Sequence, residues 1–331
     1  MMITSLYPLR FDPIYQYRLW GGRRLAGLLS APLPDGPIGE AWLLSDRDDF
    51  PSRVADGPLE GQTLSQLLKQ SPKELLGEQA ASFDRFPLLL KFLDAREMLS
   101  VQVHPSDQQT ELLPAGEKGK TEAWVVLEAK PNSRIYAGLN PGTNQNNLRD
   151  AITNGTVADL LAGFTPKSGD GVFLQSGTVH ALGEGVMVFE VQENSDVTFR
   201  LFDWNRVDEK TGQARPLQVD QALSCIDYAR GAVVPVTPIV ERAEPESKER
   251  LFHCEHFGLW RLGGESTFTV GQANTARVLV SLGGEGRLEH AGVDYAFRKG
   301  DVLLLPAVVG ACLCRPSGPV VMLEISLPEG E

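Results

Sequence analysis

Four polar side chains have the types and the spacing of ligands for one divalent metal ion. Gln102 and His104 stand two residues apart in residues 99–104, where alternating apolar and polar residues predict a strand. Side chains at positions i and i+2 of a strand point to the same face, so this amide and this imidazole can reach one ion. Glu122, at the start of the next predicted strand, and His180, after a tight turn, could complete a mixed nitrogen and oxygen site suited to Zn²⁺. On spacing alone, a structural role as a hydrogen-bonding core residue stays open for each histidine.

Two other groups of metal-ligand residue types are interpreted as structural. His253 and His256 are three residues apart, and on a strand such side chains point to opposite faces. Cys312 and Cys314 share one face of a predicted strand, where two buried thiols are the expected arrangement. The chain has four cysteines in all, too few for a disulfide framework.

Glu190 is a carboxylate on an otherwise apolar strand. Residues 186–192 predict this strand, with Met187, Phe189 and Val191 on the face opposite to Glu190. A carboxylate in such surroundings is costly to bury unless it is paired or functional. Glu190 is therefore a candidate functional residue.

The elements that must position these groups are mainly strands. Short alternating segments separated by Gly and Pro predict strands along most of the chain, and apolar periodicity predicts helices at 64–76, 146–161 and 217–228. Residues 231–238 have the composition of a linker, and nearly everything after them is strand and turn. We expect a larger metal-binding domain over residues 1–235 and a small all-β domain over residues 236–331. The predicted strands lie at 41–44, 99–104, 124–127, 135–139, 171–174, 186–192, 197–202, 258–262, 266–270, 277–281, 286–289, 302–305 and 320–325.

Length and composition restrict the class of protein. The 331 residues suffice for about two domains, and 42% hydrophobic with 22% charged residues is typical of an ordered globular chain. A net charge of −12 argues against sequence-independent nucleic-acid binding, but not against a small anionic substrate. No segment approaches the roughly 18 apolar residues of a membrane span, and the N-terminus lacks a secretory pattern. We expect a cytoplasmic protein that binds neither nucleic acid nor membrane.

Six segments, in order, closely resemble the signature motifs of type I mannose-6-phosphate isomerases. The longest, residues 86–107, contains Lys91, Ser100, Gln102 and His104. The other five lie at 20–23, 38–46, 119–124, 177–183 and 190–204. The resemblance covers residues 7 to about 206, and the short interval from Glu122 to His180 resembles the compact bacterial members of the family.

The resemblance implies a fold, a cofactor and a reaction. The fold would be mainly β, with two cupin domains (jelly-roll β-barrels) and a few helices added to the N-terminal one. One divalent metal per chain, usually Zn²⁺, would assist the interconversion of mannose 6-phosphate and fructose 6-phosphate through a cis-enediol. Carried over by position, the implied metal ligands are Gln102, His104, Glu122 and His180; the catalytic residues are Arg200, Lys120, Glu190 and Asp196; and the phosphate contacts are Ser100 and Lys91.

Such an isomerisation moves one proton between C1 and C2 and another between O1 and O2, so it needs a Lewis acid and a general base. We expect Arg200 to lie beside the metal and stabilise the enediolate, since a guanidinium stays charged and can donate to two oxygens. Lys120 and Glu190 are the groups expected to exchange protons; which of them is the base stays open, and Asp196 could orient one of them. The alternative for Arg200 is a structural ion pair with Asp196 or Asp203.

The C-terminal part repeats a portion of the cupin pattern. Gly300 to Pro306 reproduces the spacing of Gly169 to Gln175, where Gln175 stands in place of the usual proline. Ala311 stands where His180 would be expected. We therefore expect a second barrel without metal ligands that packs against the first and walls one side of the cleft.

Three other function classes agree less well with these residues. A cupin oxygenase would use a redox metal, and the Gln102 and Lys120 positions argue against it. A non-catalytic cupin that binds a metal and a sugar phosphate would not need Lys120, Glu190, Asp196 and Arg200 together. A bifunctional nucleotide-sugar enzyme would need a glycine-rich nucleotidyltransferase segment. The expected partner is a small sugar phosphate, and the expected state is a monomer or weak homodimer.

Overall fold

Glycine and proline divide the chain into short strands with few helices. The computed structural model describes residues 5–208 and 212–328, and these contain 23 strands and four α-helices. The first thirteen strands are β1 (Ile14–Gly22), β2 (Ile38–Leu44), β3 (Asp46–Arg47), β4 (Phe50–Pro51), β5 (Leu88–Asp94), β6 (Val101–Val103), β7 (Glu122–Ala129), β8 (Ile135–Leu139), β9 (Leu161–Phe164), β10 (Gly171–Leu174), β11 (His180–Leu182), β12 (Val186–Glu193) and β13 (Phe199–Phe202).

The remaining elements are ten strands and the helices. The strands are β14 (Ile239–Arg242), β15 (Ser247–His253), β16 (Gly258–Gly264), β17 (Phe268–Val270), β18 (Arg277–Gly283), β19 (Glu285–His290), β20 (Val293–Arg298), β21 (Val302–Leu305), β22 (Cys312–Pro316) and β23 (Val320–Ser326). The helices are α1 (Leu64–Gln70), α2 (Pro72–Leu76), α3 (Gln145–Asn154) and α4 (Val219–Cys225), with 3₁₀ turns at Arg24–Gly27, Glu78–Ser82 and Val157–Leu160.

Apart from the two-stranded sheet β3-β4, the strands form two pairs of antiparallel sheets. In the first pair, a six-stranded sheet has the order β1-β2-β5-β12-β7-β10 and faces a five-stranded sheet of order β13-β6-β11-β8-β9. In the second pair, the orders are β14-β15-β16-β23-β18-β21 and β17-β22-β19-β20. Two facing antiparallel sheets are the arrangement of a jelly-roll barrel. The prediction of a mainly β protein with two cupin barrels and a few added helices is confirmed.

The two six-stranded sheets pack against each other through one apolar core. On β12, Phe189 points into this core and meets Phe92 of β5 edge-on, with ring centroids 5.9 Å apart. Val278 and Ile325 of the second barrel belong to the same cluster. Side chains alternate between the two faces of a strand. One face of this six-stranded sheet therefore packs in the shared core, and the other face lines the site in the first barrel. Because this core contains both parts of the chain, the division into residues 1–235 and 236–331 remains a proposal.

One predicted helix is interrupted, and another ends earlier than the apolar periodicity suggested. The 64–76 segment is two helices, since α1 ends at Gln70 and α2 begins at Pro72, whose ring cannot continue the hydrogen-bond ladder. The 146–161 segment stops at Asn154, where Gly155 caps α3 with φ of 73°. Apolar periodicity alone does not reveal these breaks.

Several strands lie outside the segments predicted from sequence patterns. Among them are β1, β14, β15 and β20, of which β14 is exposed along its whole length. Such strands lack the clean alternation of a half-buried strand, because one or both faces meet solvent or a polar cavity. The omission of β1 matters for function, because β1 carries Arg18.

Candidate functional site

The five-stranded sheet of the first barrel places three predicted site residues side by side. Gln102 of β6 is directly opposite His180 of β11 on one side and Arg200 of β13 on the other. Directly opposed residues of antiparallel strands project to the same face of the sheet. His104 follows β6 and shares this face with Gln102, which leaves Val101 and Val103 for the apolar core behind the sheet.

The six-stranded sheet contributes the opposite wall. Glu122 on β7 pairs with Gln192 on β12, and Glu190 two residues earlier pairs with Lys91 on β5. Glu122, Glu190 and Lys91 therefore follow one another across three neighbouring strands on one face. These three residues are almost completely buried, with exposures of 0%, 3% and 4%.

His104, Glu122 and His180 converge on one point between the sheets. One ligand atom from each of the three lies within 4.8 Å of the others. Nε2 of His180 lies 3.1 Å from Oε1 of Glu122, and Nε2 of His104 lies 3.5 Å from Oε2 of the same carboxylate. Nε2 of His180 is also 3.2 Å from the amide nitrogen of Gln102. All four residues predicted to be ligands thus meet at one place.

The second nitrogen of each imidazole is already engaged. Nδ1 of His104 lies 2.8 Å from the carbonyl oxygen of Val197, and Nδ1 of His180 lies 2.9 Å from that of Thr178. A carbonyl accepts only, so each Nδ1 donates a proton and each Nε2 keeps its lone pair for the centre. Burial, followed by the charge of Lys120, holds the pKa of His104 well below its usual value. A neutral imidazole is the form that binds a metal.

The donor set fits a divalent metal ion. Both carboxylate oxygens of Glu122 are buried and accept no regular hydrogen bond within the described residues, although cationic groups approach them. Burial opposes ionisation, but Lys120 and the two histidines hold the pKa of Glu122 well below its usual value. Lys120 approaches one oxygen of this carboxylate, but the Nε2 lone pairs of His104 and His180 also face it. This arrangement is costly unless a cation lies between them. Two imidazoles, a carboxylate and an amide match Zn²⁺ or a similar ion.

Lys120 lies between this cluster and a neighbouring cavity. Its ammonium nitrogen is 2.8 Å from Oε2 of Glu122 and 3.3 Å from Nε2 of His104. Burial lowers the pKa of Lys120, but the carboxylates of Glu122, Glu190 and Asp196 outweigh burial and raise it overall. Lys120 therefore holds a proton beside the cluster.

Glu190 is held from two sides. The indole N–H of Trp124 donates to its Oε1 at 2.8 Å, and the ammonium of Lys91 lies 3.3 Å from its Oε2. Burial raises the pKa of Glu190 more than Lys91 lowers it, with a further increase from Glu122. The Lys91 ammonium also lies over the ring of Trp42 and 3.8 Å from Asp196.

Arg200 lies next to Gln102 and makes no ion pair with a carboxylate among the described residues. Its Nε donates to the hydroxyl of Ser100 at 3.4 Å, and its Nη1 donates to the carbonyl oxygen of Pro216 at 2.8 Å. Asp203, one of the partners considered for it, instead binds other arginines. Burial and the neighbouring guanidinium of Arg215 lower the pKa of Arg200.

A cavity of about 560 Å³ opens beside the cluster. Its size suits a small organic ligand. Seven predicted site residues line it, and sequence reasoning missed several others, including Arg18, Glu40 and Arg215. The seven are Lys91, Ser100, Gln102, Lys120, Glu190, Asp196 and Arg200. Arg18 lies two residues before the matched motif at 20–23, but nothing in the local pattern indicates that its side chain reaches a site.

The other groups of metal-ligand residue types lie elsewhere. His253 is exposed, whereas His256 is partly buried with its Nδ1 3.3 Å from Oε1 of Glu193. Cys312 and Cys314 are both buried on one face of β22, in the core of the second barrel. These placements agree with the structural interpretation of both groups.

The chain forms two barrels, each made of two facing antiparallel sheets, and the first barrel holds a buried His–Glu–His cluster beside an open polar cavity. These features define a metal-binding cupin with a site of the kind that enzymes use. The sequence model for the catalytic domain of phosphomannose isomerase type I matches residues 9–123. Mannose-6-phosphate isomerase ManA of Bacillus subtilis (strain 168) is 36% identical over 307 residues, which cover 92% of this chain and 94% of that protein. The chain belongs to the type I phosphomannose isomerase family.

Other relatives agree with this assignment. The mannose-6-phosphate isomerase of Streptococcus mutans is 34% identical over 305 residues, which cover 91% of this chain and 93% of that protein. The crystal structure of mannose 6-phosphate isomerase from Bacillus subtilis superimposes with a TM-score of 0.87 at 29% identity, covering 96% of this chain and 99% of that one. None of the helices in the described residues is long and apolar enough to cross a membrane.

Proposed function

We propose that the cavity beside the cluster is where this chain, as a type I phosphomannose isomerase, interconverts mannose 6-phosphate and fructose 6-phosphate. The observation that carries the proposal is the position of Lys120, whose ammonium contacts the ligand Glu122 while its side chain lines the cavity. Lys120 can therefore reach both the metal ligands and a sugar in the cavity.

Gln102, His104, Glu122 and His180 would hold the metal, and we propose Zn²⁺ as the ion. A bound divalent ion would act as a Lewis acid that favours negative charge on the sugar oxygens. The residues around it decide what binds and where protons move. The hydrogen bonds from Nδ1 of His104 and His180 to backbone carbonyls keep both rings oriented before a ligand arrives.

Lys120 and Glu190 are proposed to carry the substrate protons. The ammonium of Lys120 holds a proton at Nζ at the wall of the cavity, while the carboxyl of Glu190 lies on the neighbouring strand with its second oxygen near Lys91. Burial raises the pKa of Glu190 towards the range in which a carboxyl group can both accept and return a proton. Asp196, 3.8 Å from Lys91, is proposed to orient this group.

Arg200 is proposed to stabilise the enediolate oxygens. It lies directly opposite Gln102 in the sheet and keeps N–H donors beyond those used by Ser100 and Pro216. A half-buried guanidinium that has no carboxylate partner among the described residues is available for developing negative charge. Ser100 and Lys91 remain the proposed phosphate contacts from the motif. We further propose a cytoplasmic monomer or weak homodimer.

A coupled assay with mannose 6-phosphate tests the activity. We expect turnover that a chelator abolishes and added Zn²⁺ restores. Metal binding without turnover would instead indicate a non-catalytic sugar-phosphate-binding cupin and would refute the proposal.

Arg200→Ala tests the assigned chemistry. We expect kcat to fall by about 10²–10³-fold, the cost of removing one donor to a developing oxyanion. Metal content and the thermal midpoint should stay near the wild-type values. Arg149→Ala is the matched control, because Arg149 is half-exposed on α3 and pairs with exposed Asp220. Near-normal turnover of Arg200→Ala would contradict the assignment.

A further inference from the structure

Three guanidinium groups line the cavity, and two of them belong to no motif recognised in the sequence. Arg18 lies on β1, Arg200 on β13, and Arg215 precedes α4. In the six-stranded sheet, β1 is separated from β7, the strand of Glu122, by β2, β5 and β12. At about 4.8 Å per strand spacing, β1 lies well away from the metal ligands.

Arg18 and Arg215 are held in fixed orientations by carboxylates. Nε and Nη2 of Arg18 donate to the two oxygens of Glu40 at 2.7 and 3.2 Å. Nε and Nη2 of Arg215 donate to the two oxygens of Asp203 at 2.8 and 2.6 Å. Each two-point pair uses one edge of the guanidinium and leaves Nη1 on the other side. Nη1 of Arg18 also donates to the carbonyl oxygen of Tyr17 at 3.4 Å, and its second N–H stays available for a ligand.

These carboxylates stay ionised, so the arginines stay in place. Burial works against ionisation of Glu40, but Arg18 and Lys91 lower the pKa of Glu40 to about 2. Asp203 also has a lowered pKa, because the hydrogen bonds from Arg215 and Arg206 outweigh its burial. The arginine orientations are thus fixed by the protein's own ion pairs, which reduces the entropic cost of binding an anion.

The balance of charge around the cavity depends on these two residues. The charged side chains that line it in the described part of the chain comprise five cationic and four acidic ones: Arg18, Lys91, Lys120, Arg200 and Arg215, against Glu40, Glu190, Asp196 and Asp208. Without Arg18 and Arg215 the acidic groups would outnumber the cationic ones.

We propose that Arg18 and Arg215 bind the phosphate group of the substrate and make the site selective for a phosphorylated sugar. The inference rests on the proposed function, which places C1 and C2 of the sugar at the metal ligands. C6, which carries the phosphate, is at the opposite end of the carbon chain of a hexose 6-phosphate. With the reacting carbons at the metal ligands, the phosphate extends towards the arginines. A phosphate dianion accepts two-point hydrogen bonds from guanidinium groups, and Ser100, beside Arg200, adds a neutral donor.

The test uses Arg18→Gln, Arg215→Gln and the double variant, each loaded with Zn²⁺. Steady-state kinetics with mannose 6-phosphate and with unphosphorylated mannose separate phosphate binding from chemistry. We expect each single variant to raise KM for mannose 6-phosphate by about 10- to 100-fold, the cost of losing a charged hydrogen bond, with a smaller change in kcat. The value of kcat/KM for mannose should stay within about twofold of wild type.

Direct binding of mannitol 1-phosphate and of mannitol, measured by calorimetry, gives a readout that does not require turnover. We expect Arg18→Gln to weaken binding of the phosphate ester and Arg18→Lys to restore part of it. Arg261→Gln is the matched control, because Arg261 pairs with Glu249 through the same two nitrogens in the second barrel. Trp42 still donates to Glu40 in Arg18→Gln, so this variant is expected to fold even if Arg215→Gln does not.

The two proposals fail in different ways. If the wild-type chain binds mannitol 1-phosphate through Arg18 but isomerises nothing, the proposed function is wrong and the phosphate assignment stands. If the chain is an active isomerase but Arg18→Gln keeps wild-type KM and wild-type affinity for mannitol 1-phosphate, the phosphate assignment is wrong. Equal losses of kcat/KM for mannose and mannose 6-phosphate would also overturn it.

Discussion

Replacing Glu193 with glutamine is expected to stabilise the protein at alkaline pH. Glu193 ends β12 and is 7% exposed. Its Oε2 accepts a hydrogen bond from the backbone N–H of Thr121 at 2.7 Å, and its Oε1 lies 3.3 Å from Nδ1 of His256. Burial, with a contribution from Asp107, raises the pKa of Glu193 from 4.5 to about 8, although Thr121 and Lys118 act in the other direction.

The sign of the effect follows from the proton balance. Between pH 4.5 and about 8 the folded chain keeps the proton of Glu193 and the unfolded chain has lost it. The free energy of unfolding therefore falls as pH rises through this interval, by about 1.4 kcal/mol per pH unit and by up to roughly 5 kcal/mol in total. Above about pH 8 this contribution is constant. Such a loss is comparable to the whole stability of a small domain.

Glu193→Gln removes this titration while keeping the hydrogen bonds. A carboxamide can accept from Thr121 through its oxygen and donate to His256 through its nitrogen, as a protonated carboxyl group does. Urea unfolding of Zn²⁺-loaded wild type and variant, from pH 5 to pH 9, measures the difference in stability. We expect equal stability near pH 5 and a variant that is more stable by several kcal/mol at pH 8.

The control is Glu255→Gln, on the same loop as His256. The side chain of Glu255 is 80% exposed and lies 3.5 Å from Nε2 of His256, so this variant should stay close to the wild-type curve and shows what that exposed contact alone contributes. Taking the difference between proteins largely cancels the titration of His256, which they share. A constant stability difference between Glu193→Gln and wild type over the whole pH range would refute the reasoning.

Two further predictions concern the metal and the contact between the barrels. His104→Ala should lose most of the bound metal measured by elemental analysis, whereas His290→Ala should keep it, because only His104 lies in the cluster. Gly300→Ala should lower the free energy of unfolding by about 1–3 kcal/mol, since Gly300 has φ of +92° and an added Cβ would lie 2.0 Å from the carbonyl oxygen of Leu28. Gly318→Ala is its control, with nothing within 4 Å of the added atom, and equal stability of the two variants would contradict this argument.

The ligand set was predictable from the sequence because strands have a simple period. Gln102 and His104 are two residues apart, so both lie on one face of a strand. The alternation around Glu190 likewise predicts that Phe189 lies in the core. The motif resemblance then indicated Glu122 and His180, which the register of β6, β7 and β11 brings to the same point. Composition and turn residues were enough for a mainly β chain.

Only the tertiary structure decided which distant residues share the cavity. Arg18 is 84 positions before Gln102 in the chain, and nothing in its local pattern shows that β1 joins the edge of the sheet that carries Lys91 and Glu190. The same holds for His256, which meets Glu193 because the two barrels pack back to back. Periodicity determines the face of a strand on which a side chain lies. The order of strands, and therefore which faces meet, depends on long-range pairing and packing that local patterns do not encode.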